Sequence, residues 1–262
     1  MTWQTVKIIA IVSMTLDHAA ATFLTSPFLV DRLGISMAAS GWIYTIFRAL
    51  GRIAFPLYAF GMAQGCAYTK NRRKFLLRLL FFAVLAEVPF QLALCDGRII
   101  PPPLPIKNVL FTLLTGSLCC FIWDFCRGKK RIGAAILPIG ALILLAEICH
   151  TDYGGLGVVF VFVLYVLPEK SWKLAALAAL VTWLYGLSPL LRGYTSMRDP
   201  ASLVRWLLPW LCALSAVGIL ELYHGREGRR SKLSQYFFYA YYPLHLLLFY
   251  GLTQWIGPIT IQ

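Results

Sequence analysis

Of 262 residues, 59% are hydrophobic and only 13% are charged, about half the charged content of an average soluble domain. That excludes a soluble globule, which could not hide so much apolar surface from water. The formal charge of +13 would suggest a nucleic-acid partner on a soluble chain; here the cations lie between apolar runs and read as orientation in an anionic membrane, so lipid is the expected partner and nucleic acid is not.

A membrane crossing takes about 20 mostly apolar residues. On that rule spans are predicted near 5–24, 42–68, 73–95, 108–126, 132–149, 154–168, 172–188, 203–223 and 233–252. These describe an all-α polytopic integral membrane protein, a single domain over 1–262, with about nine crossings and a range of eight to ten. The second segment is long enough to begin as an interfacial helix, and 25–41 has room for a re-entrant piece.

The second, fourth, sixth and eighth connections together hold 14 Lys and Arg, from Lys70 to Lys74, Arg127 to Arg131, Lys170 to Lys173 and Arg226 to Lys232. The odd-numbered ones hold five: Arg32, Arg98, Lys107, Arg192 and Arg198. By the positive-inside rule the basic loops and the N-terminus are cytoplasmic. The first apolar run carries Lys7, Asp17 and His18 and lacks a basic leader and a small-residue cleavage site, so it reads as a span and not as a signal peptide.

Taken in chain order, the polar residues inside these spans are the functional candidates, because an ionisable group in the bilayer is costly. In the first span, Lys7 and His18 are eleven apart, three turns plus about 20°, so they share a face about 16 Å apart along the axis. Asp17 stands about 100° round from His18. In the second, Arg48 and Arg52 form one stripe beside Gly51, Phe55 and Pro56. Two guanidiniums on one stripe repel unless an anion faces them; Asp17, Glu87 and a bound phosphate are the candidates.

The third span carries Arg78 and Glu87, with Pro89 opening its helix. Asp96 to Pro105 contains four prolines and cannot be helical. Asn108 and Thr112 lie one turn apart at the start of the fourth span. Asp152, Tyr153, Gly154 and Gly155 stand at the mouth of the sixth, and Tyr242-Pro243-Leu244-His245 places a second histidine beyond a backbone break in the last. The seven cysteines give no disulfide framework; Cys95 and Cys149 fall near one face, which leaves room for one bridge without requiring it. No metal-ligand spacing, P-loop, nucleophile elbow or inverted repeat is present, so no metal is expected.

Several of these stretches are familiar together. Lys7 to His18, Arg48 to Pro56, Leu77 to Leu80, Ala86 to Phe90, Asn108 to Thr112, Asp152 to Gly154 and Tyr242 to His245 run in one order over nearly the whole chain. In this the sequence resembles the TraX family, itself similar to transmembrane acyltransferases that include OafA-type sugar O-acyltransferases. The resemblance implies transfer of an acetyl or other acyl group from acyl-CoA to an amine or hydroxyl on a protein N-terminus, a saccharide or a lipid, in a bacterial cytoplasmic membrane. The family is associated with N-acetylation of the F-pilin subunit. In the O-acyltransferase relatives a basic residue and a histidine eleven positions apart mark the active centre, and Lys7 and His18 match that spacing, with lysine where arginine is usual.

On that reading His18 is the base, with Asp17, Arg52 and Glu87 completing the catalytic set. Lys7, Arg48, Arg78 and Asn108 would hold acyl-CoA; Asp152, Tyr153, Tyr242 and His245 would face the acceptor. Direct transfer and an acyl-histidine intermediate both remain open, as does assembly into a homo-oligomer. Two other readings use the same residues. In a transporter or channel the buried Arg, His and Glu side chains would line a solute path; in a structural partner they would pair among themselves.

Overall fold

The computed structural model describes residues 1–22, 24, 26–95, 97–99, 107–193, 199–225 and 232–256. Every regular element among them is helical: α1 (Trp3–Thr22), α2 (Ser26–Leu33), α3 (Met37–Gly51), α4 (Ala54–Tyr68), α5 (Arg72–Leu94), α6 (Val109–Gly128), α7 (Gly133–Ile148), α8 (Gly154–Val166), α9 (Lys170–Val181), α10 (Ser188–Leu191), α11 (Pro200–Glu221) and α12 (Lys232–Ile256). A π-helical turn, Thr182–Leu187, joins α9 to α10. Among the described residues, four stretches are both long and apolar enough to cross a bilayer, Arg72–Leu94, Val109–Gly128, Lys170–Leu191 and Pro200–Glu221, and α7 and α8 are shorter apolar helices. The chain is an all-α polytopic membrane protein.

Its surface is inverted relative to a soluble fold. Along α5, Leu77, Phe81, Val84 and Val88 are exposed, while Leu79, Ala83 and Ala86 on the other side are fully buried. In lipid the outward residues need no cover, and helices meet through small side chains.

The chain divides into two compact units. The first comprises Met1–Leu57, Leu177–Phe238 and the chain from Leu244 onward. Here α1 lies along α3, and α3 also contacts α2 and α11, which in turn meets the π-helical turn. The second comprises Tyr58–Ala176 and Tyr239–Pro243. In it α6 packs on α5, α7 and α8. Its core joins Cys119, Cys126, Ala135, Ile139, Ala146 and Val158, with the Trp123 and Phe162 rings edge to face at 5.8 Å.

One expectation is corrected. The long segment 42–68 is two helices, α3 and α4, broken at Arg52 and Ile53, whose N–H groups turn back to Ala49 and Leu50. The cause is local: Pro56 has no N–H to continue the ladder across that point. Cys95 and Cys149 are not bridged, and no disulfide joins any of the seven cysteines. Within 25–41, α2 occupies Ser26–Leu33. The proline-rich connection, at Asp96 and at 100–106, and the basic loop at 226–231 lie outside the described residues.

Candidate active site

The first unit's site grows from α1, whose sequence presents two stripes. Val6, Ala10, Ser13, Asp17 and Ala20 recur at three- and four-residue spacing, and apart from Asp17 all are buried. The small members let α3 approach closely. Ser13 Oγ donates to the Leu50 carbonyl at 2.5 Å, satisfying an acceptor at the end of α3. One turn on, the Asp17 side chain rests against Gly51, where a Cβ would stand only 2.2 Å from that of Asp17. Only glycine allows this approach. Asp17 Oδ2 accepts from Arg48 Nη1 at 2.7 Å, and its Oδ1 is buried with no hydrogen-bond partner among the described residues.

The other stripe carries Lys7 and His18. Lys7 Nζ lies 4.9 Å from the centre of the Phe238 ring, a cation–π contact. His18 Nδ1 lies 2.7 Å from Nε2 of His245 on α12, a buried residue two positions beyond Pro243. The ring centres are 5.0 Å apart and the planes differ by 8°. With parallel rings and so short an N···N separation, these distances require the imidazoles to lie edge to edge in nearly one plane, not face to face. That is the alignment in which an N–H points straight along a ring-nitrogen lone pair.

Arg52, next to the break after α3, stacks on Tyr185 with its guanidinium carbon 5.7 Å from the ring centre. Tyr185 comes from the π-helical turn, a conformation often found at functional positions. Two indoles brace that turn: Trp206 Nε1 donates to the Gly186 carbonyl at 2.9 Å, and Trp210 Nε1 to Thr182 Oγ1 at 3.3 Å.

The second unit has its own polar centre. Glu87 Oε1 accepts from Gln91 Nε2 at 2.9 Å and lies 3.7 Å from Lys107 Nζ; its Oε2 accepts from Asn108 Nδ2 at 2.7 Å and from the Asn108 backbone N–H at 3.2 Å. Asn108 is fully buried, caps α6 through Oδ1 to the Leu110 N–H, and donates to the Ala83 carbonyl. Lys107 also bridges through its backbone to His150 and Asp152, and Thr112 Oγ1 donates to the Asp152 carbonyl. Tyr153 adopts the left-handed conformation at φ 66°, and Glu147 Oε2 accepts the Gly155 N–H at 2.8 Å, supplying the cap of α8 that Tyr153 does not.

The structure therefore sorts the sequence candidates. His18, Asp17, Arg48, Arg52, Lys7 and His245 belong to the first unit. Of the anions weighed for the arginine stripe, Asp17 takes Arg48, while Glu87 is engaged by Lys107, Gln91 and Asn108. Asn108 spends its amide on helix capping and cross-linking. The Arg78 guanidinium carbon lies 6.0 and 5.1 Å from the ring centres of Phe75 and Tyr239, two cation–π contacts. Asp152, Tyr153 and the buried Tyr242 lie in the second unit, whereas His245, expected with them on the acceptor side, is bonded to His18. Sequence reasoning missed Ser13 and Tyr185. Ser13 was within reach, four residues before Asp17 on one face; no pattern in the sequence marks Tyr185. Among the described residues no group of three His, Cys, Asp or Glu could hold a metal ion.

No solved structure matches the chain. A curated relative, the "Probable fimbrial assembly protein FimC, serogroup H1" of Dichelobacter nodosus, is 32% identical over 252 residues, covering 92% of this chain and 91% of its own. The family model described as TraX protein matches residues 2–253. With that match running almost end to end, the chain belongs to the TraX family.

Proposed function

We propose that the protein is a membrane-embedded acyltransferase, moving an acetyl or similar acyl group from acyl-CoA on the cytoplasmic side to an amine or hydroxyl acceptor, with His18 as general base. The single observation that carries the reading is the in-plane contact of His18 with His245 at 2.7 Å, on the helix face that also carries Lys7. Histidine suits a base that must later act as an acid, because its ordinary pKa lies near neutrality.

The residues of the first unit fit an anionic donor. Lys7 offers a cation on the His18 face, and Arg52 lies over the Tyr185 ring. Bound there, acyl-CoA would supply the activated acyl group as a thioester. His18 accepts the proton of the attacking amine or hydroxyl, and the developing negative charge falls to Arg52. Asp17 holds Arg48 by a partly buried ion pair, fixing α1, which carries His18, against α3. The name of the fimbrial relative and the family's association with pilin acetylation both favour the amine of a pilin-like subunit as acceptor. A bacterial cytoplasmic membrane, with the basic loops inward, agrees with the loop charges.

The test is acetyl-CoA binding and slow hydrolysis by protein purified in detergent, wild type beside His18→Ala. Binding retained and hydrolysis lost in the variant is the expected result. Hydrolysis at the wild-type rate by His18→Ala would remove the base, and no binding by folded, monodisperse wild type would remove the donor.

A further inference from the structure

The acyl-transfer reading leaves one half of the histidine pair without a task. His245 is only 4% exposed, stands on α12, and reaches His18 across 227 residues of sequence. A buried histidine commonly does no more than fill space and satisfy a hydrogen bond. Two features take this one further. The coplanar, edge-to-edge arrangement at 2.7 Å is the geometry for passing or sharing a hydrogen, whereas packing alone tolerates any ring orientation. The Phe249 ring also stands edge-on to His245 at 88° and 5.6 Å, which limits rotation of the imidazole out of that plane.

The hydrogen positions follow from the chemistry. For His18 to act as a base through Nε2, its own hydrogen must sit on Nδ1. That hydrogen then points at His245 Nε2, which must be the acceptor, so the hydrogen of His245 lies on Nδ1. The opposite arrangement would put a hydrogen on His18 Nε2, leaving that nitrogen a donor with no lone pair to take the acceptor's proton. Among the described residues, the charged or titratable groups near His18 include its neighbour Asp17 on α1, Arg48 and Arg52 on and after α3, and His245 on α12. With Asp17 engaged by Arg48, an imidazolium formed on His18 has His245 as its hydrogen-bonded acceptor.

We propose that His245 is a positioning residue and proton partner for His18: it holds His18 in the Nδ1–H tautomer and shares the charge when His18 is protonated. The proposal rests on the acyl-transfer reading. In the step it serves, His18 Nε2 takes the proton of the acceptor amine as the new N–C bond forms and the C–S bond of the thioester breaks. His18 then returns that proton to the departing thiolate, so an amide and a free thiol leave and both histidines end neutral. Throughout, the bridging hydrogen can move toward His245 Nε2, spreading the transient charge over two rings.

The experiment compares wild type, His18→Ala, His245→Ala and His245→Gln by acetyl-CoA hydrolysis in detergent against pH, each checked for a monodisperse, folded state. Glutamine can place a carbonyl oxygen where His245 Nε2 stands, so it accepts the Nδ1–H but cannot take up a proton. His245→Ala is expected to lower kcat about 100-fold, within the range of a general-base contribution, with little change in KM for acetyl-CoA. His245→Gln should recover at least tenfold of that loss, with the acid limb of its pH profile moved to lower pH because the imidazolium has lost its second ring. Nitrogen-15 NMR of histidine-labelled wild type should show His18 hydrogenated at Nδ1. His245→Ala within twofold of wild type, His245→Gln no better than alanine, or His18 hydrogenated at Nε2 would each overturn the proposal. If His18→Ala itself retains the wild-type rate, the acyl-transfer reading fails instead, and the NMR result still decides the tautomer.

Discussion

In the second unit, Glu87 is ringed by its own donors: both carboxylate oxygens are occupied, and Asn108 gives both its amide hydrogens and its oxygen to neighbours. In the first, Asp17 has one oxygen on Arg48 and another buried without a hydrogen bond among the described residues, while the pair of histidines beside it can exchange a hydrogen. Both centres pay for polarity in a lipid-facing fold, and they do so to different ends. A network with every member satisfied rigidifies and costs most when broken; an incompletely satisfied one keeps a group in reserve for something else. On the proposed function, the Glu87 centre serves stability and the His18 centre serves chemistry.

The sharpest way to break that assignment is His18→Ala. It should lower acetyl-CoA turnover by about 100- to 10,000-fold and leave thermal unfolding in detergent close to wild type; a large loss of stability with proportionate activity would place His18 with the structural group. Asn108→Ala should do the reverse. It strands Glu87 with one side short of donors and removes the cap of α6, for a loss of about 3 kcal/mol, read by chemical unfolding, while kcat of the folded fraction stays within a fewfold. Gly51→Ala probes the seam in the first unit. A methyl there meets the Asp17 side chain, so α1 and α3 must separate, at about 2 kcal/mol, and turnover should fall along with stability because Asp17 moves. The smallest effect belongs outside both centres. At the start of α11 the Ser202 hydroxyl, with the backbone N–H groups of Ser202 and Ala201, holds the Asp199 carboxyl below its usual range. Because its folded pKa is depressed, the contribution is present above the unfolded value of about 3.9 and is lost as pH falls through the lower folded one. Carbon-13 NMR titration of Asp199 should show that depressed midpoint, and Ser202→Ala should raise it.

Much of this was legible before any coordinates. The three-turn spacing of Lys7 and His18 is a property of a single helix, and a single helix can be read from its own sequence. Partnerships between helices were harder. Arg48 had Asp17 and Glu87 as candidate anions, and only the packing of α1 along α3 selects Asp17. The contact between His18 and His245 joins residues at opposite ends of the chain, beyond any local periodicity. The break at Arg52 hid inside an unbroken apolar run, since hydropathy is blind to where a backbone ladder stops; Gly51 and Pro56 were its traces.

That break has a further electrical meaning. Peptide dipoles along α3 add up to a partial negative charge at its C-terminal end, and both Arg48 and Arg52 stand there, in the last turn and at the cap. The backbone itself therefore offers the guanidiniums a counter-field that no side-chain substitution removes. Asp17 is left as a local adjustment to a potential set by the helix, so Asp17→Asn should leave both arginines charged and in place, with their neutralisation shifted onto the peptide groups of α3.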